Sequence, residues 1–229
     1  MELYEVMRTT FAAREFTDQQ VSDATIAKIL EQARFAPSGG NRQGWQVLVV
    51  RDDGSRARLR ELIEPQMQRY VAQVKAGEAP LNTVHPSKVS AAEIAATQVP
   101  QQMLDNLTDA PVILLVFVDL SVVASFDSDL DRVGVISGAS IYPFVWNILL
   151  AARNEGLGGT LTTFAAGAED EVRGYFGVPD HMAFAAMIPI GHPVKQLTKL
   201  TRKPVSDFVR KERWDGEALI DASEPSPTA

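Results

Sequence analysis

The sequence predicts an α+β domain, on three observations. Val112 to Val118 is a continuous apolar run and Met182 to Ile190 is nearly so, the pattern of strands covered on both faces. Apolar residues recur at helical spacing near the N-terminus and again between Ser55 and Gln73. The stretch from Gly134 to Asn154 is apolar nearly all round, as in a buried helix. The resulting order is helices, strand, long insert, strand, helix, turn and strand, which is that of an α+β domain. A chain of 229 residues supplies a substantial core.

Leu3, Val6, Met7, Thr10 and Phe11 predict a first helix that runs into Ala12–Phe16. Ser22 is a good N-cap for a second helix through Ile26, Ile29, Leu30 and Ala33. That helix ends near Arg34, because Pro37 lacks an N–H and its ring clashes with the preceding turn. Gly39 and Gly40 then free the backbone, while Ser38, Asn41 and Gln43 offer side-chain donors and acceptors. An ordinary helix-to-strand loop accounts for this composition; so does a turn against which a flat ligand lies close to exposed N–H groups. Trp45 ends the turn, and Gln46 to Val50 reads as a strand.

Between Ser55 and Gln73 the buried face is Leu59, Leu62, Ile63 and Met67. Residues 75–105 hold Gly77, Pro80, Pro86 and Pro100, the composition of a long excursion rather than a packed layer. His85 within it is either exposed or a substrate contact. In Gly134–Asn154, Gly138 and Ala139 permit close helix approach and Pro143 is expected to kink the helix. Gly156 is placed as a C′ glycine, with Gly158 and Gly159 opening the next turn. Val172, Tyr175 and Phe176 form the apolar side of a short helix, and residues 221–229 have the composition of a disordered tail. One domain over residues 1–220 is expected.

A formal charge of -7 and a pI near 5.0 argue against nucleic acid as a main partner, since phosphate binding needs a basic face. The absence of cysteine excludes disulfides, thiolate nucleophiles and iron–sulfur clusters. No metal-ligand cluster, GxGxxG or Walker loop is visible. The apolar runs fall short of the roughly 20 residues that span a bilayer, and the acidic N-terminus does not resemble a signal peptide. No membrane partner and a cytoplasmic location are therefore expected.

Ala36, Pro37, Ser38, Asn41, Gln43 and Trp45 together resemble the APSxxNxQPW segment of the FMN-dependent nitroreductase family, with Gly44 where that family usually has proline. Arg14 and Phe16 match the end of the family's Arg-Arg-Ser-x-Arg-x-Phe pattern, whereas Thr10, Phe11 and Ala12 replace its two basic residues and serine. Leu161-Thr162-Thr163-Phe164 resembles the family segment that lies along the flavin ring, Gly191-His192-Pro193 its glycine–aromatic–proline turn, and Arg202 a family arginine that reaches the FMN phosphate. His192 is read as structural. Arg8, one turn before the degraded pattern, is a candidate replacement.

The resemblance implies a central mixed or antiparallel sheet flanked by helices, in an intertwined homodimer with FMN at the interface. It implies a cofactor-binding set of Arg8, Arg14, Pro37, Ser38, Gly39, Asn41, Gln43, Leu161, Thr162, Thr163 and Arg202, with the 37–43 segment reaching the partner's flavin. NAD(P)H would supply hydride and a nitroaromatic, quinone or related conjugated acceptor would take it, in ping-pong fashion. Bound FMN carries that chemistry, so no catalytic side chain is expected. Residues 75–105 would cap the cleft and vary with substrate. The apolar Gly134–Asn154 helix fits either burial within one subunit or, as in the family, a dimer interface. Other flavin chemistry on the same fold, such as reductive dehalogenation or flavin fragmentation, and flavin binding without turnover are the alternatives.

Overall fold

Strictly alternating side chains let one apolar strand feed two cores, and this arrangement organises the protein. A computed structural model describes residues 1–220; the tail expected over 221–229 lies outside the described residues. Helices α1 (Leu3–Thr9) and α2 (Asp23–Ala33) precede strand β1 (Trp45–Val50). Helices α3 (Asp53–Lys75), α4 (Ala91–Ala96) and α5 (Gln101–Thr108) precede β2 (Val112–Asp119). Then follow α6 (Tyr142–Asn154), β3 (Gly158–Gly159), α7 (Glu169–Phe176) and β4 (Met182–Gly191).

The four strands form one antiparallel sheet in the order β1-β2-β4-β3. Val112, Leu114, Val116 and Val118 of β2 face a core built with α2 and α6. Ile113, Leu115 and Phe117 face the opposite core, with Leu59, Ile63 and Met67 of α3 and Leu104 and Leu107 of α5. Helices on both faces explain why an antiparallel sheet has lost the usual polar side. The expected helix-flanked α+β architecture is what the chain adopts.

Local chemistry shifts several boundaries. The first helix stops at Thr9, because the Thr9 and Thr10 hydroxyls donate back to the Glu5 and Val6 carbonyls at 2.7 Å and the chain turns extended at Thr10. Ala12–Phe16, expected to continue the helix, is therefore extended instead; Ala12 bridges Gly159 and Phe16 bridges Pro193 along the sheet edge. Ser22 caps α2 by accepting from the Thr25 N–H at 3.1 Å. Asp52 caps α3 in the same way at 2.8 Å, so α3 begins before Ser55 and ends after Gln73.

Gly134–Asn154 is not one kinked helix. A 3-10 turn over Ile136–Ser140 breaks at Ile141, and α6 starts at Tyr142 with Pro143 in its first turn, where the missing N–H costs nothing. Nor is it covered on every side in one subunit, since Tyr142 is 43% and Trp146 42% exposed. Gly158 and Gly159 form β3 rather than a turn: a Cβ at Gly158 would stand 2.8 Å from that of Ala13, and one at Gly159 would stand 2.9 Å from the Pro189 carbonyl oxygen. Gly156, with φ 78°, does end α6 as expected. Within 75–105 the long irregular excursion is the loop 77–90, with a short link over 97–100, and α5 joins the core through Leu104 and Leu107. No helix among the described residues is long and apolar enough to cross a membrane.

Candidate functional site

A cavity of about 610 Å³ opens between α3, α5 and the segment after β3. Its floor is extended backbone. Thr162 exchanges hydrogen bonds with Met187 of β4, N to O at 3.0 Å and O to N at 2.9 Å, which fixes Leu161, Thr162 and Thr163 at the cavity edge. The facing wall is apolar, from Met67 and Tyr70 of α3, Met103 and Leu107 of α5, and Leu81 of the loop. Tyr70 meets Phe164 edge-on at 5.5 Å, closing one end.

Arg14 is the charged residue of this lining. The Ala13 N–H donates to the Gly159 carbonyl at 3.0 Å, so the strand-like run after α1 carries Arg14 to the rim. Its guanidinium reaches the Ala12 carbonyl at 3.2 Å, and among the described residues no carboxylate lies within ion-pair distance. An unpaired cation beside a flat apolar slot suits a planar ligand that bears an anionic group.

The turn from Pro37 to Gln43 lies apart from this cavity. Gly40, Asn41 and Gln43 all have left-handed backbone, with φ 61°, 53° and 50°. Two of these carry a Cβ, so the turn is strained and has to be held. Ser38 Oγ accepts from the Gln43 N–H at 3.0 Å, and Gln43 Nε2 donates to Asn41 Oδ1 at 3.2 Å. The Gly39 N–H donates to Ser140 Oγ at 3.1 Å. Asn41 and Gln43 remain exposed.

Ser140 is itself positioned by a loop with a buried acid. Asp127 is 3% exposed and accepts from the Val135 N–H at 2.8 Å, Arg132 Nη1 at 2.8 Å and Ser125 Oγ at 3.0 Å. The Val135 bond, with the Arg132 and Ser125 contacts, holds its carboxyl well below the usual carboxylate range against the opposing effect of burial.

Of the residues singled out in the sequence, Arg14, Leu161, Thr162 and Thr163 come together at the cavity. Pro37, Ser38, Gly39, Asn41 and Gln43 form a separate turn, exposed except at the half-buried Ser38. Arg8 and Arg202 are exposed and line neither; Arg202 donates to the Thr201 carbonyl at 2.8 Å. Tyr70 and Asn106 of the lining were not singled out in the sequence, and Leu81 and Met103 only as part of the 75–105 stretch expected over the cleft. Tyr70 and Met103 follow ordinary helical spacing, and Leu81 sits in a stretch without periodicity.

Fold and cavity define an α+β protein with an apolar cleft served by one cation. The chain belongs to the nitroreductase family, whose model matches residues 7–192. It is 27% identical over 220 residues to a putative NADH dehydrogenase/NAD(P)H nitroreductase of Methanothermobacter thermautotrophicus, covering 93% of this chain and 88% of that one. It is 25% identical over 213 residues to an iodotyrosine deiodinase of Hydra vulgaris, covering 92% and 72%. Among solved structures, an oxidised iodotyrosine deiodinase bound to FMN and 3-iodo-L-tyrosine superposes with a TM-score of 0.64 at 23% identity, covering 93% of this chain and all of that one, which is a likeness of fold.

Proposed function

We propose that the protein is an FMN-dependent oxidoreductase that takes hydride from NAD(P)H and passes it to a nitroaromatic, quinone or related conjugated acceptor. The observation that carries this reading is Arg14, a cation without a carboxylate partner among the described residues at the rim of an apolar slot. FMN is planar at one end and anionic at the other, so the lining fits it. When bound, it supplies the two-electron chemistry. Arg14 would hold the phosphate end, together with Arg202 and Arg8 where the chain brings them near. The backbone of Leu161, Thr162 and Thr163 would border the ring. Thr163 can hydrogen-bond there but has no titratable group, so it moves no proton.

The strained Pro37–Gln43 turn presents Asn41 and Gln43 to solvent, which supports a homodimer in which each turn borders the partner's flavin. Reductive dehalogenation is the competing chemistry, given the deiodinase relatives. Among the described residues no Asp or Glu lines the cavity to pair with the ammonium group of a zwitterionic amino acid. The deciding experiment reconstitutes the purified protein with FMN and follows NADH and NADPH oxidation with a nitroaromatic or a quinone. Turnover supports the reading; stoichiometric FMN without turnover of any acceptor would reduce it to a flavin-binding protein.

A further inference from the structure

Leu81 has left-handed backbone, with φ 55°, in a loop that offers no regular structure to impose it. A leucine there is strained by its own Cβ, so its placement has to be enforced from outside. Gln73 of α3 does this: its Oε1 accepts from the Leu81 N–H at 2.9 Å. Gln73 is 2% exposed, on a helix whose other buried residues are aliphatic or Met. Burying an amide is unfavourable unless its polar atoms are used, and an aliphatic side chain would serve packing better.

The rest of the loop is tied as well. Asn82 Oδ1 accepts from the Val84 and His85 N–H groups, both at 2.8 Å. The Glu78 carboxylate accepts from Ser87 Oγ at 2.6 Å and the Lys88 N–H at 2.7 Å, closing the loop at its base. Ser90 and Glu93 then form a capping box that starts α4. The loop is thus a formed structure, and Leu81 is the residue it places in the lining of the cleft, which Met103 and Leu161–Thr163 share.

We propose that Leu81 is a specificity-determining residue that limits the width of the acceptor, and that Gln73 is the positioning residue that holds it there. This rests on the cleft being the acceptor site of an FMN oxidoreductase. Narrow, flat, uncharged acceptors pass beneath Leu81, and fused-ring acceptors meet its side chain.

The test compares KM and kcat of the FMN-loaded protein for benzoquinone and for phenanthrenequinone. Leu81→Gly suits the left-handed backbone and removes the wall. It is expected to lower KM for the fused-ring quinone on the order of tenfold relative to the single-ring one. Gln73→Met keeps the bulk and loses the acceptor, and should shift selectivity in the same direction. Adding it to Leu81→Gly should shift selectivity no further, because both act through one side chain. An unchanged KM ratio in Leu81→Gly overturns the specificity role. A Gln73→Met variant that melts lower but keeps wild-type selectivity overturns the positioning role. Hydrogen exchange reads the tie independently of turnover: the Leu81 amide should be protected in the wild type and lose protection in Gln73→Met. Rapid exchange in the wild type overturns the tie alone, whereas absence of turnover with any acceptor overturns the acceptor role together with the reading beneath it.

Discussion

The Gly39 N–H donates to Ser140 Oγ at 3.1 Å across 101 residues of sequence. It ties the strained Pro37–Gln43 turn to the 3-10 turn that precedes α6. Gly39 sits close: a Cβ there would stand 3.4 Å from the same oxygen. The turn's left-handed residues, Gly40, Asn41 and Gln43, are thus braced from within by Ser38 and from outside by Ser140.

Ser140→Ala should therefore loosen the turn without touching the cavity. One neutral hydrogen bond contributes about 0.5–1.5 kcal/mol, so FMN affinity is expected to fall roughly two- to tenfold if the turn borders a flavin. Titration of apo-protein with FMN, followed by flavin fluorescence, measures it. Unchanged affinity would detach the turn from the cofactor.

Arg14→Ala should weaken FMN binding on the order of tenfold or more, since a charge-assisted contact to phosphate contributes roughly 1.5–3 kcal/mol. Arg14→Lys should recover part of the loss, keeping the charge but not the fork. Arg202→Ala, assayed alongside, asks whether the C-terminal segment reaches the phosphate in solution. Equal affinity in the wild type and Arg14→Ala would show that the anionic end lies elsewhere.

Strands β2 and β4 were legible because each is apolar on both faces. The caps Ser22 and Gly156 were legible as local chemistry. Pro143 misled because a proline inside an apolar run marks a kink and a helix start equally well. Gly158 and Gly159 misled because their reason is the approach of Ala13 and Pro189, distant in sequence. At the site, Arg14 and Leu161–Thr163 were accessible through a family resemblance. Gln73 looked like any polar residue of an amphipathic helix, and its burial is set by a loop the spacing does not describe.

Asp127 gives a pH-dependent prediction. Its carboxyl titrates lower in the folded protein than the ordinary value of about 3.9, because the Val135 N–H, Arg132 and Ser125 bind its charged form. A depressed folded pKa contributes stability that is present above the unfolded pKa and is lost as pH falls through the folded one. Asp127→Asn should accordingly melt below the wild type at neutral pH, and the gap should narrow steadily below about pH 4. A gap that stays constant from neutral pH to strongly acid conditions would show that the ionised form is not what the loop holds.

The last prediction concerns assembly. Tyr142 and Trp146 on α6 are 43% and 42% exposed, and Val133, Val135 and Ile136 just before it are 56%, 63% and 41% exposed. Neighbouring apolar side chains open to water, on and just before a helix that otherwise belongs to the core, are the surface that the proposed dimer would cover. Obligate interfaces often bury more than about 2,000 Å² and resemble a core cut in half, so a charge placed inside one is strongly disruptive. Gly138 is a poor place for that charge, because a Cβ there would already stand 2.9 Å from the Tyr142 ring. Trp146→Glu is cleaner, since the side chain is half open within one subunit. It is expected to shift the protein from dimer to monomer in analytical ultracentrifugation and to lower FMN occupancy in parallel. Circular dichroism should show whether the helices survive. A folded Trp146→Glu monomer that still held one FMN per chain would mean that a single subunit completes the site, and the Pro37–Gln43 turn would lose its place at the neighbour's cofactor.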